Sequence, residues 1–166
     1  IVGSNDTPIS NLISKLQNSD WINEGIKYLN FPESSECPFC QSKTITQSLV
    51  NQINVYFDET YKDNLRKLDK IHTEYEQKIN KIPKFDFYRS NSFAKDHLIE
   101  LSEFYKNLET INEENINLIK KKISNPSFQF VLKESSSVID SINSVINAIN
   151  KVISVHNTKI DNASSE

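Results

Sequence analysis

The residues whose type and spacing carry the most specific chemistry are Cys37-Pro38-Phe39-Cys40. Two thiolates two residues apart on a tight turn can grip one tetrahedral metal ion, and backbone N–H groups in the turn stabilise the sulfur charge. One pair fills only half of a four-ligand site, so a Zn²⁺ centre at Cys37 and Cys40 needs a second pair from another copy of the chain. A dithiol of this spacing also suits thiol–disulfide exchange. Such sites follow a strand within a βαβ unit, however, and no strand pattern precedes Cys37. The third reading is two reduced thiols that only pack. Two cysteines in 166 residues fit a reducing cytoplasm rather than a disulfide scaffold.

The other candidates are less specific. The three histidines, His72, His97 and His156, are expected far from the cysteines along long helices, and His156 sits at a heptad seam position. Lys120-Lys121-Lys122 can touch phosphate, but a lysine run near a helix C-terminus is also favoured by the helix dipole. The neighbouring carboxylates Asp58-Glu59 and Glu113-Glu114 point about 100° apart on a helix and make poor acid/base or metal pairs. Ser135-Ser136-Ser137 lacks a nearby base and a glycine elbow. No phosphate loop, HExxH or EF-hand pattern occurs, so no catalytic residues are assigned. Trp21 is expected in the core, pinning a short helix.

Long helices must position the cysteine loop. Thr7-Pro8 reads as a helix start, with a hydroxyl cap and proline at the first helical position. Asn18-Ser19-Asp20 re-caps a second short helix through Leu29, and Pro32 and Pro38 make Phe31–Cys40 a loop. From Leu49 to Ile82 apolar residues recur near a 3.5 period, predicting one helix over 47–82, about 50 Å long. Pro83 stops it, and 84–91 is a link. Further helices are predicted over 92–124, ended by Asn125-Pro126, and over 130–161. In the last, Ile139, Ile142, Ile146, Ile149, Ile153, His156 and Ile160 keep heptad spacing. Short links make sequential helices antiparallel. The fold expected is all-α: an elongated antiparallel bundle or coiled-coil hairpin. Short helices and the cysteine loop occupy 1–45, and long helices occupy 46–166.

Composition agrees with that class. Two glycines and five prolines are too few for the corners of a sandwich, a barrel or a Gly-rich nucleotide-binding sheet. A mean hydropathy of −0.52 speaks for a lean core. The net charge of −3 does not indicate a dedicated nucleic-acid binder. No apolar run approaches the roughly 20 residues of a bilayer span, so no membrane partner is expected. Methionine is absent, which suggests a processed start or a piece of a larger protein.

Trp21-x3-Gly25-x2-Tyr28, a short spacer and then Cys37-Pro38-Phe39-Cys40-Gln41 resemble the start of the coiled-coil insertion in bacterial AAA-type P-loop ATPases of the RloC/PrrC anticodon-nuclease group. Tyr56-Phe57-x3-Tyr61 within a long helix is similar too, and Cys-Pro-x-Cys resembles the zinc hook of SMC-like DNA-repair ATPases. The motif spans about a quarter of the chain, from Trp21 to Tyr61. The resemblance implies a non-catalytic arm, with Zn²⁺ shared between two chains and ATP bound only by parts of a parent protein. Its partners would be a homodimer mate or the parent's ATPase domain. Cys-Pro-aromatic-Cys also occurs in glutaredoxin-like proteins. The competing function is a free-standing helical bundle that acts as a protein-interaction module of a host-associated microbe.

Overall fold

The computed structural model describes Ile1 and residues 3–164; Ser165 and Glu166, the end of the predicted long-helix segment, lie outside the described residues. Among the described residues the chain is helical and has no strand. The α-helices are α1 (Pro8–Leu16), α2 (Ser19–Gly25), α3 (Gln47–Tyr56), α4 (Glu59–Ile79), α5 (Asp86–Arg89), α6 (Leu98–Ser124) and α7 (Ser136–Ala163). The segments Ile26–Tyr28 and Ser92–His97 are 3₁₀ turns. None of the helices is long and apolar enough to cross a membrane. The all-α expectation therefore holds, and two of the predicted helices need correction.

The single helix predicted over 47–82 is two helices. Phe57 leaves helical geometry at φ −96°, ψ 55°. The Asp58 carboxylate then accepts the Tyr61 backbone N–H at 2.8 Å, restarting the ladder as an N-cap. The bend turns Phe57 inward between Tyr56 and Tyr61, with ring centroids 4.8 and 5.0 Å apart. Ile53 and Tyr56 before the break and Tyr61 and Leu65 after it pack on one core, so the hydrophobic period runs through the break.

The last helix begins at Ser136 instead of 130. Asn115 takes the place of helical partners for the backbone of Lys133: it accepts that N–H at 2.8 Å and donates to that carbonyl at 2.9 Å. The link over 84–91 also contains a helical turn, α5. At the start of the chain Pro8 opens α1 as predicted, but the Thr7 hydroxyl makes no cap bond.

Internal contacts divide the chain into two compact units, one of Ile1–Thr73 with Ile119–Phe130, the other of Glu74–Leu118 with Val131–Glu166. In the first, Ile13, Ile53, Tyr56, Phe57 and Tyr61 are buried together. Gly3 lies so close to Tyr56 that an added Cβ would sit 2.4 Å from its carbonyl oxygen, and Ser4 N–H donates to that oxygen at 2.9 Å. The Asp20 carboxylate accepts the backbone N–H and hydroxyl of Ser127, the latter at 2.6 Å.

In the second unit, Leu101, Tyr105 and Leu108 of α6 bury against Val138, Ile142, Val145 and Ile149 of α7, around Ala94. Phe93 meets His156 at one end of this pair, and Asn115 meets Lys133 at the other. The two helices therefore run antiparallel. The end of α4 joins them through Tyr75, whose hydroxyl bonds Asn112 and Asn115 at 3.1 Å each.

Candidate metal centre

The cysteines lie in the first unit, on a loop between the Ile26–Tyr28 turn and α3. Two pairings close its base: Ile45 N–H donates to Ser35 O at 3.0 Å, and Cys37 N–H donates to Ser42 O at 2.8 Å. Within them Gln41 N–H returns to Cys37 O at 2.8 Å. Gln41 adopts a left-handed φ of 59°, a conformation in which a non-glycine residue is uncommon. It reverses the chain directly after Cys40, and Pro38 stiffens the approach through its fixed φ.

This turn brings the two cysteine side chains together. The Cys40 sulfur faces the Ser42 backbone N–H, the Ser42 hydroxyl and the Cys37 thiol, and these hydrogen bonds hold its pKa below the ordinary thiol value. The largest cause is the backbone N–H, a fixed donor that favours the thiolate. Cys37 is half-buried, Cys40 is exposed, and neither forms a disulfide. A thiol pair with one exposed sulfur, and amide and hydroxyl donors aimed at it, is the environment that favours a thiolate.

No cluster of three or more His, Cys, Asp or Glu side chains suited to a metal occurs among the described residues. Thus Cys37 and Cys40 have no third such side chain clustered with them among the described residues. His97 Nδ1 lies 3.9 Å from Glu100, and the His156 ring lies 5.0 Å from Phe93. His156 is exposed, so its seam position lacks a covering helix.

The remaining candidates serve the fold. Lys122 donates to Phe128 O at 2.5 Å, and the Lys121 ammonium sits 4.1 Å over the Phe128 ring, so these two lysines close the turn after α6. Asp58 caps α4, Glu59 pairs with Lys62 at 2.7 Å, and Glu114 pairs with Lys133.

Trp21 is not a core residue. It is 58% exposed because Ile22 of the same short helix and Ile26 of the 3₁₀ turn after it take the inward positions. Its ring lies 5.5 Å from that of Phe39, which is 70% exposed. The pair rims an apolar cleft of about 300 Å³ whose lining includes Leu12, Ile22, Leu29, Cys37 and Pro38. Sequence reasoning missed this cleft, since its walls come from α1, α2, the cysteine loop and α3. The residues around the motif are polar apart from Phe39, so no local signal marks the cleft.

A family model described as an AAA domain matches residues 1–166. No curated protein and no solved structure matches the chain.

Proposed function

The chain belongs to this AAA-domain family along its whole length, and from that premise we propose that it is a non-catalytic helical arm of an SMC-like P-loop ATPase of the RloC/PrrC type. In this reading its cysteine loop binds Zn²⁺ jointly with a second copy. The observation that carries it is the pairing of Cys37 and Cys40 on an exposed turn, with Ser42 donors aimed at the Cys40 sulfur.

The donor set fits the ion. Thiolates are the preferred ligands of structural zinc, and four of them close a tetrahedral site. Cys37 and Cys40 would hold one half and the equivalent pair of a second copy the other. When bound, the ion supplies a crosslink and no reaction chemistry, because a closed four-thiolate site leaves no open position for substrate. The chain's own contribution is to hold the sulfurs in register through the Cys37–Ser42 and Ser35–Ile45 backbone bonds. A reducing cytoplasm would keep the thiols available as ligands. Nucleotide binding belongs, in this proposal, to a parent protein, because the 166 residues contain no phosphate loop.

Sedimentation of the chain with and without zinc chloride, beside a Cys37→Ser, Cys40→Ser double variant, tests the reading. The expected result is a zinc-dependent dimer containing one zinc per two chains, lost in the double variant. A monomer of unchanged mass in every condition, with no bound metal, overturns it.

A further inference from the structure

Two cysteines can bridge only if their Cα atoms lie about 4.4–6.8 Å apart and their side chains point toward each other. The cysteine loop meets both conditions within one turn. Gln41 N–H donates to Cys37 O at 2.8 Å, so Cys40 sits inside a closed turn that starts at Cys37. Turns of this size hold Cα atoms three residues apart within about 7 Å. The side chains converge as well, because the Cys37 thiol faces the Cys40 sulfur. The turn is held from outside by the Cys37 N–H bond to Ser42 O and the Ile45 N–H bond to Ser35 O. Both thiols are free, so the fold presents a dithiol already arranged as its oxidised product.

The two sulfurs differ in access. Cys40 is exposed, whereas Cys37 is half-buried and forms part of the cleft wall. A reagent arriving from solvent therefore meets Cys40 first, and Cys37 stands behind it to complete the reaction.

We propose that Cys37 and Cys40 form a reversible disulfide site that exchanges with a small-molecule disulfide, with Cys40 as the entry sulfur and Cys37 as the resolving one. In the first step Cys40 gives its proton to solvent and attacks one sulfur of the small disulfide. The Cys40–sulfur bond forms as the small disulfide breaks, and one small thiolate leaves. Cys37 then loses its proton and attacks the Cys40 sulfur, which expels the second small thiolate. The two thiolates take up the two protons, so one small disulfide is reduced to two thiols while the protein dithiol is oxidised to one disulfide. Excess small thiol reverses both steps. The exchange needs neither a metal ion nor a second copy and stands apart from the shared-zinc reading. While the bridge is closed neither sulfur is a thiolate ligand, so the surrounding thiol–disulfide balance decides whether this loop can hold a metal.

The test uses the wild-type chain, kept metal-free with a chelator, at equilibrium in buffers of graded glutathione to glutathione-disulfide ratio, folded and in urea. After acid quenching, mass spectrometry of the tryptic peptide Tyr28–Lys43, which contains both cysteines, gives the oxidised fraction. Closing so short a loop costs the unfolded chain entropy that the folded turn has already lost, so the equilibrium constant for the bridge should be about tenfold larger in the folded chain. Gln41→Pro removes the N–H that closes the turn and imposes a negative φ where the chain has 59°. It should bring the folded constant down to the unfolded one. Equal constants in folded and unfolded wild type overturn the proposal. So does glutathione retained on Cys40 without closure, or chains crosslinked to one another on a non-reducing gel. With chelator present throughout, failure of this exchange leaves the zinc reading standing, and failure of zinc-dependent dimerisation leaves the exchange standing. The wild-type comparison holds even if the variant misfolds.

Discussion

The Cys40 sulfur gains its charge stabilisation chiefly from one backbone N–H, that of Ser42, and only then from the Ser42 hydroxyl and Cys37. The folded loop therefore favours the thiolate. Alkylation by iodoacetamide, mapped by mass spectrometry across pH, should give Cys40 a lower midpoint in the folded chain than in the urea-unfolded one. Ser42→Ala should recover only part of the difference, because the backbone donor remains. Equal midpoints in folded and unfolded chains would show that the loop does not hold these donors on the sulfur. A second residue of this kind is Asn115, 2% exposed, whose amide serves Tyr75 and both backbone groups of Lys133. Asn115→Ala takes the side-chain partner from both backbone groups of Lys133, while the Tyr75 hydroxyl keeps Asn112, and should cost roughly 2–3 kcal/mol in urea unfolding. Tyr75→Phe, which removes one hydroxyl, should cost less; the reverse order would place the anchor at the tyrosine.

Among the elements, α7 separates what a heptad pattern shows from what packing uses. Its spacing is regular from Ile139 to Ile160, yet Ile142 and Ile149 are buried whereas Ile160 is 51% exposed. Ile142→Ala and Ile149→Ala should each lose roughly 2–5 kcal/mol of stability through lost burial and an unfilled cavity. Ile160→Ala should change stability by no more than about 0.5 kcal/mol. Comparable losses at all three positions would mean that a helix covers the end of α7 in solution. At the α3–α4 break, Asp58→Ala removes the cap on Tyr61 N–H and should cost about 1 kcal/mol. Gly3→Ala should also destabilise the first unit, because its Cβ would press on the Tyr56 carbonyl and a fully buried ring.

For the whole molecule, two tyrosines set the response to alkali. Burial, with smaller effects from Asp20 and Tyr56, pushes the Tyr61 hydroxyl up to about 12 from an ordinary 10.0. Burial and Tyr88 raise Tyr105 in the same direction. A phenol whose folded pKa is raised stays neutral in the fold while the unfolded chain ionises. Its contribution is complete below pH 10 and is lost as pH climbs from 10 through 12. The melting temperature should therefore fall across that window, and Tyr61→Phe should blunt the fall. A flat profile between pH 10 and 12 would show that neither phenol is buried in solution. Metal should matter differently. Cys37 and Cys40 belong to neither core cluster, so a chelator should leave helix content and melting temperature of the monomer unchanged, unlike a zinc finger. Loss of helicity on chelation would mean that the loop organises the fold.

The sequence alone determined the class and most helix limits, because those are local matters. A 3.5-residue apolar period specifies a helix with one sticky face, Pro83 removes a donor, and Asn125-Pro126 ends a ladder regardless of what packs nearby. Cys37 and Cys40 were legible for the same reason: a two-residue spacing on a proline turn brings sulfurs together with no help from the rest of the chain. Tertiary structure decided the remainder. The period could not show the break at Phe57–Asp58, since the residues just before and just after it face one core, nor the late start of α7, since Asn115 meets Lys133 only once α6 and α7 are paired. Trp21 is apolar enough for a core, but Ile22 of its own short helix and Ile26 of the turn that follows took the inward positions. The cleft it borders exists only where α1, α2, α3 and the cysteine loop converge. Period reports which residues seek burial; only packing decides which of them find a neighbour.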